Sequence, residues 1–207
     1  MGEVSTLFFD IGGVLLTNGW DRDSRVAAAG QFHLDWNDFE VRHEAALVAF
    51  ETGKMGLEEY LDRVIFYRAR DFTREQFKKF IYAQAKAMLD SLAFMERLAR
   101  KPRKYLISSL NNESRDLNEY RIDTFGLRAY FDVFLSSCYL GVRKPDVEIY
   151  ERALEITQRR GDETIFIDDR AENLEGARAV GMNAIQFKDA AQLERELKSL
   201  GVEISAV

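Results

Sequence analysis

Thr6-Leu7-Phe8-Phe9-Asp10-Ile11-Gly12-Gly13-Val14-Leu15-Leu16 is the stretch on which the reading of this chain turns. Four strand-formers run without polar alternation into one acid, which two glycines follow closely. A run with no solvated face predicts a strand buried on both sides, and such strands occupy the centre of parallel sheets. Asp10 then stands at the carboxyl end of that strand. In open α/β sheets this is the edge where ligands bind, and the glycines let the backbone turn tightly and approach a ligand.

Outward from there the period changes twice. From about Asp21 to Leu89 the pattern is helical: Trp36, Phe39, His43, Leu47 and Phe50 form one stripe that stops near Gly53. Leu57, Leu61, Val64 and Ile65 line a second helix, and Thr73 with Gln76 predicts a capping box ahead of a third. After Leu89, strands and helices alternate. Strands are expected at Lys104–Ser108, Phe131–Leu135, Thr164–Ile167 and Asn183–Phe187, with helices near 90–98, 113–122, 146–157, 170–180 and 193–200. Strand-then-helix repetition predicts an α/β fold, a Rossmann-like doubly wound parallel sheet, with a helical cap inserted after the first strand. The boundaries expected are a core of 1–17 and 90–207 and a cap of 18–89.

With 207 residues, 46% hydrophobic and 31% charged, the chain can bury one sizeable core plus a small second unit. A net charge of -6 and the absence of a basic block interleaved with aromatics argue against nucleic acid as a partner. One cysteine, Cys138, excludes an internal disulfide and any multi-cysteine metal site, and fits a reducing, cytoplasmic setting. No apolar run has membrane-spanning length and no export signal is recognised, so no membrane partner is expected. Oligomeric state is not legible.

On the predicted sheet, polar groups from distant parts of the chain reach the same edge as Asp10: Ser108, Lys144 and the pair Asp168-Asp169. Like charges about 4 Å apart repel by roughly 4 kcal/mol at an effective dielectric of 20, so three clustered carboxylates need compensation. A lysine and a divalent cation would supply it. Oxygen ligands with room for water and phosphate suit Mg²⁺ better than zinc.

The sequence resembles the haloacid dehalogenase-like (HAD) hydrolase superfamily over nearly its whole length. The motifs that carry the resemblance occur in order: FFDIGGVLL around Asp10, YLISS around Ser108, the lysine of GVRKPDVEIY at Lys144, and FIDDRAEN around Asp168 and Asp169. The helical insert resembles that family's C1 cap. ETGKMGLEEY, LGVRKP and FIDDRAEN are most similar to the branch of small sugar-phosphate phosphatases that includes bacterial α-D-glucose-1-phosphate phosphatase.

The resemblance implies Mg²⁺-dependent hydrolysis of a small phosphorylated metabolite through an aspartyl-phosphate on Asp10. It also implies that Ser108 bonds the transferring phosphoryl group with help from Ser109, and that Lys144 neutralises charge. Mg²⁺ would be held by Asp10, the Gly12 carbonyl and Asp168 or Asp169. Gly53 and Lys54, in the turn after the first long cap helix, are expected to close over the phosphate together with Glu51. Two departures stand out: Gly12 occupies the place of the usual general-acid Asp, and Ser109 that of an Asn, with Asn111 keeping an amide nearby. Two rival readings are a 2-haloacid dehalogenase, which also lacks the second acid, and a catalytically weak module that binds phosphorylated ligands. His43, on the apolar stripe, reads as a packed core histidine, and Asn173 as a brace for its helix.

Overall fold

The computed structural model describes residues 2–205. Five parallel strands make one sheet in the order β3-β2-β1-β4-β5: β1 is Thr6–Phe9, β2 Leu106–Asn111, β3 Val133–Ser136, β4 Thr164–Asp168 and β5 Asn183–Gln186. β1 is central, with Leu7 paired to Ile107 on one side and Ile165 on the other. This is where an apolar run without alternation has to go, because both of its faces are covered.

The alternation of side chains separates two cores. Leu7 and Phe9, with Ile107, Ile165 and Ile167, pack against α5 (Leu89–Leu98), α6 (Arg115–Thr124) and α10 (Ala190–Ser199). Phe8, with Leu110, Leu135 and Phe166, packs against α8 (Val147–Thr157) and α9 (Ala171–Ala179). Helices on both faces make the sheet doubly wound, as the strand and helix alternation predicts.

Between β1 and α5 lie four helices: α1 (Arg22–Gln31), α2 (Trp36–Glu51), α3 (Leu57–Val64) and α4 (Arg74–Ala83). They have their own core, in which Trp20, Phe32, Phe39, Phe50, Tyr60 and Phe77 are buried together. Asp21, Asp35 and Thr73 cap α1, α2 and α4 through their side chains, and Thr73 with Gln76 forms the full capping box. The entering and leaving chains are tied to each other: Thr17 N–H donates to the Lys86 carbonyl (2.9 Å) and Met88 N–H to that of Leu15 (3.0 Å).

The second strand corrects its expected limits. It starts two residues later than Lys104 and continues beyond Ser108 to Asn111. Serines look like a strand end because they are polar, but Ser108 and Ser109 are wholly buried and β3 pairs with the chain from Ser108 through Asn111. The ladder, rather than side-chain polarity, decides where this strand stops. α6 and β3 likewise start two residues later than expected, after Ser114 and Asp132.

Candidate active site

The carboxyl ends of β1 and β4 bring the acids together. Asp10 follows β1 directly, and its backbone N–H donates to the Ile167 carbonyl (2.8 Å), which fixes its place beside β4. Its Oδ1 accepts the Ile11 N–H (2.8 Å), and Oδ2 lies 3.1 Å from Lys144 Nζ. Lys144 is 1% exposed and reaches Asp168 Oδ2 at 2.5 Å, so one ammonium bridges two carboxylates. Asn112 holds the lysine's backbone from both sides, accepting its N–H (2.8 Å) and donating to its carbonyl (2.9 Å).

The two late aspartates differ in their surroundings. Asp168 is saturated: besides Lys144 it accepts the Arg170 N–H (2.8 Å) and both oxygens take bonds from Asn173 Nδ2 (3.0 Å each). Asp169 has a buried oxygen, Oδ1, without a hydrogen-bond partner. Ligand oxygens of Asp10, Asp168 and Asp169 all lie within 4.8 Å of one another. Gly13, at φ +74°, lets the loop after Asp10 pass against Asp169, since a Cβ there would sit 2.4 Å from Asp169 Oδ2.

Electrostatics follow from this crowding. Burial pushes the Asp10 carboxyl up to about 7, with Asp168 and Asp169 adding to the rise and Lys144 opposing it. Asp169 is also raised, by burial and then by Asp168. Burial alone would lower Lys144, but Asp10 and Asp168 outweigh it and hold the ammonium above its ordinary range.

A cleft opens over Asp10, Gly12 and Lys144, between the sheet edge and the helical insert. Its walls include Trp20, His43, Phe50 and Glu51 from the insert, and Asn112, Glu113, Arg121, Arg143, Arg170 and Asn173 from the core. Trp20 Nε1 donates to Tyr60 Oη (2.8 Å), which is also hydrogen-bonded to His43 Nδ1 (2.8 Å). Burial pushes His43 down to about 4, with Arg25 as the next cause, and the ring is neutral at pH 7. His43 is therefore packed, as its stripe predicts, and also faces the cleft.

Asp10, Gly12, Lys144, Asp168 and Asp169 come together as expected. Five further candidates do not reach the cleft. Ser108 pairs with Phe8, two residues short of Asp10's level, and its hydroxyl donates to the Ser109 carbonyl (2.9 Å). Ser109 pairs with Phe9, and its buried hydroxyl has no partner. Continuing that register puts Leu110 level with Asp10. Asn111 is spent inside the fold, donating to Asn118 Oδ1 (3.0 Å) and accepting from the Ser136 hydroxyl (2.8 Å). Gly53 and Lys54 are exposed and lie outside the cleft lining, whereas Glu51 before them is part of it.

The sequence reading overlooked Asn112, Glu113, Arg121 and Arg143. Arg143 adjoins Lys144 in GVRKP and was open to notice. Arg121 was not: it reaches the cleft only because α6 folds back under it, where it donates to the Thr17 carbonyl (3.0 Å) and pairs with Glu113 at 3.3 Å.

A carboxylate at the end of the central parallel strand, backed by a buried lysine and an acid pair from the neighbouring strand, defines an α/β fold whose site lies at the carboxyl edge of its sheet. The chain belongs to the haloacid dehalogenase-like hydrolase family, whose profile matches residues 4–181. It is 32% identical over 169 residues to Flavin mononucleotide hydrolase 1 of Arabidopsis thaliana, covering 80% of this chain but 66% of that protein, just under two thirds of its length. To D-ribitol-5-phosphate phosphatase of Bacteroides thetaiotaomicron it is 25% identical over 201 residues, 94% of this chain and 97% of the relative. A HAD family enzyme of that bacterium, solved in complex with magnesium and inorganic phosphate, superposes with a TM-score of 0.75 at 21% identity, covering 90% of this chain and 95% of that one. At that identity the superposition speaks for the fold.

Proposed function

We propose that the protein is a Mg²⁺-dependent phosphatase that hydrolyses a small phosphomonoester, with sugar phosphates as the favoured class. The observation that carries this is the division of labour between the late acids: Asp168 holds Lys144 against Asp10, while Asp169 presents a buried oxygen with no partner. An orphaned carboxylate oxygen among three clustered acids fits a hard divalent cation, and an all-oxygen donor set fits Mg²⁺. Asp10, Asp169 and the Gly12 carbonyl would hold the ion, with Asp168 acting mainly through Lys144. When bound, Mg²⁺ neutralises and orients phosphoryl oxygens. The curated relatives that act on phosphate esters support the same reading.

On this reading Asp10 attacks phosphorus and carries the phosphoryl group until water removes it. Lys144 stabilises charge on both the nucleophile and the phosphoryl oxygens, and it needs no reorganisation because Asp168 and Asn112 already fix it. Arg121 and Arg143 add positive charge to the cleft walls, in keeping with an anionic substrate. The test is a phosphate-release screen over phosphorylated metabolites with and without Mg²⁺. Release that needs the metal and disappears in Asp10→Asn is expected; no release from any ester overturns the reading.

A further inference from the structure

Gly12 leaves the cleft without the acid that the family resemblance puts two residues after the nucleophile, and the structure shows what fills that place. A Cβ on Gly12 would lie 2.8 Å from Asn18 Oδ1 and 3.5 Å from Arg121 Nη1. The proton for a leaving oxygen has to come from elsewhere.

Besides Asp10, four carboxylates line the cleft: Asp21, Glu51, Glu113 and Glu172. Asp21 is engaged as the cap of α1, accepting the Ser24 N–H (2.9 Å). Glu113 accepts the Ser114 N–H (2.9 Å) and faces Arg121, so its charge is used inside the fold. Glu172 is exposed to solvent on the first turn of α9. Glu51 is shielded, and the one cation in ion-pair distance of it among the described residues, Arg143, makes no aligned hydrogen bond to it. It ends α2, and its carbonyl accepts the Ser137 hydroxyl (2.6 Å), which ties this end of the insert to the core. Its Oε2 is buried and 2.8 Å from Arg143 Nε, yet misaligned for a hydrogen bond, and no described side chain bonds to Oε1.

We propose that Glu51, reaching in from the insert, is the general acid of this site in place of the residue missing at position 12. The inference rests on the phosphatase reading above. In the first step Asp10 attacks phosphorus, the bond from phosphorus to the ester oxygen breaks, and that oxygen takes the proton of Glu51 and leaves as an alcohol. In the second, water attacks phosphorus, the bond to Asp10 breaks with its electron pair returning to the carboxylate, and the water's proton restores Glu51. Burial pushes the Glu51 carboxyl up to about 7, aided by Glu113 and opposed by Arg143, Arg170 and Lys144, so the group carries a proton near neutral pH and can release it.

The test compares an n-alkyl phosphate, whose alkoxide needs a proton to leave, with p-nitrophenyl phosphate, whose nitrophenolate leaves without one. Glu51→Gln is expected to lower kcat/KM for the alkyl ester by about 10²- to 10⁴-fold while holding the nitrophenyl ester within about threefold. Equal losses on both esters, or no loss on either, overturn the assignment. If the variant does not fold, wild-type protein carries the test: the alkyl-to-nitrophenyl ratio of kcat/KM falls at least about tenfold from about pH 6 to about pH 9, and a constant ratio overturns it. Absence of phosphate release from both esters in wild type defeats the phosphatase reading instead, so the two failures are distinguishable.

Discussion

Gly53 meets Cys138 backbone to backbone: a Cβ on Gly53 would stand 2.2 Å from the Cys138 carbonyl oxygen. The turn after α2 therefore presses directly on α7, the short core helix Ser137–Leu140, beside the bond from Ser137 to Glu51. Backbone cannot move aside as a flexible side chain can.

Gly53→Ala is expected to displace the insert and widen the cleft. Its φ of +70° adds strain of ~1 kcal/mol, but the larger effect is the collision. Gly126→Ala is the control, since Gly126 has φ +62° and nothing within 4 Å of an added Cβ. Melting temperature should fall in both, and kcat/KM by at least about tenfold in Gly53→Ala alone. Equal activity in the two variants would sink the idea that this contact sets the cleft.

Ser108→Ala is expected to leave kcat/KM within about threefold of wild type, because the hydroxyl is buried below Asp10 and bonded to its neighbour's carbonyl. Asn112→Ala removes both bonds to the Lys144 backbone and should cost at least about tenfold. Steady-state kinetics on one ester decides, and the reverse ranking refutes the placement.

These residues mark how far the sequence could be read. The unalternating Leu7-Phe8-Phe9 run dictates a central strand, and the strand and helix alternation after Leu89 dictates a doubly wound sheet, because each follows from local periodicity. Asp10, Asp168 and Asp169 are legible because each ends a strand or begins the loop beyond one, and Lys144 because it stands in the GVRKP loop ahead of α8. Ser108 is misplaced by the same rule: polarity suggests a strand end where pairing with β3 carries the strand on to Asn111. Glu51 and Arg121 sit on helices whose orientation over the cleft is set by tertiary packing, which no local spacing encodes.

Lys144→Met leaves Asp10 and Asp168 facing each other without their shared cation. Breaking a buried ion pair from one side costs about 3–5 kcal/mol, so a clear loss of melting temperature is expected. Turnover should fall by at least about 10³-fold even at temperatures where circular dichroism shows the variant folded. A folded variant that retains turnover would remove Lys144 from the chemistry.

His43 gives a pH signature. Its folded value, about 4, lies below the 6.5 of an unfolded histidine, so between those limits the unfolded chain binds more protons than the folded one. Stability from this group is complete above about pH 6.5 and is lost as pH falls towards about 4. His43→Gln keeps a hydrogen-bonding partner for the Tyr60 hydroxyl but cannot titrate. Its melting temperature should fall less steeply across that window than the wild type's, and parallel slopes would show that His43 takes up its proton in the folded state.

The separate roles of the two late aspartates can be resolved by the metal alone. Asp169 has an unpartnered oxygen, so Asp169→Asn should barely change the melting temperature without metal but should remove most of the rise that Mg²⁺ produces. In wild type, a ligand at 100 times its dissociation constant stabilises by about 2.7 kcal/mol, which a thermal shift registers readily. Asp168→Asn should behave in the opposite way. It weakens the bridge to Lys144 that helps hold the site, so the metal-free protein itself melts earlier. If Asp168→Asn melts like wild type and Asp169→Asn loses stability before Mg²⁺ is added, the roles are exchanged and Lys144 is positioned by something other than Asp168.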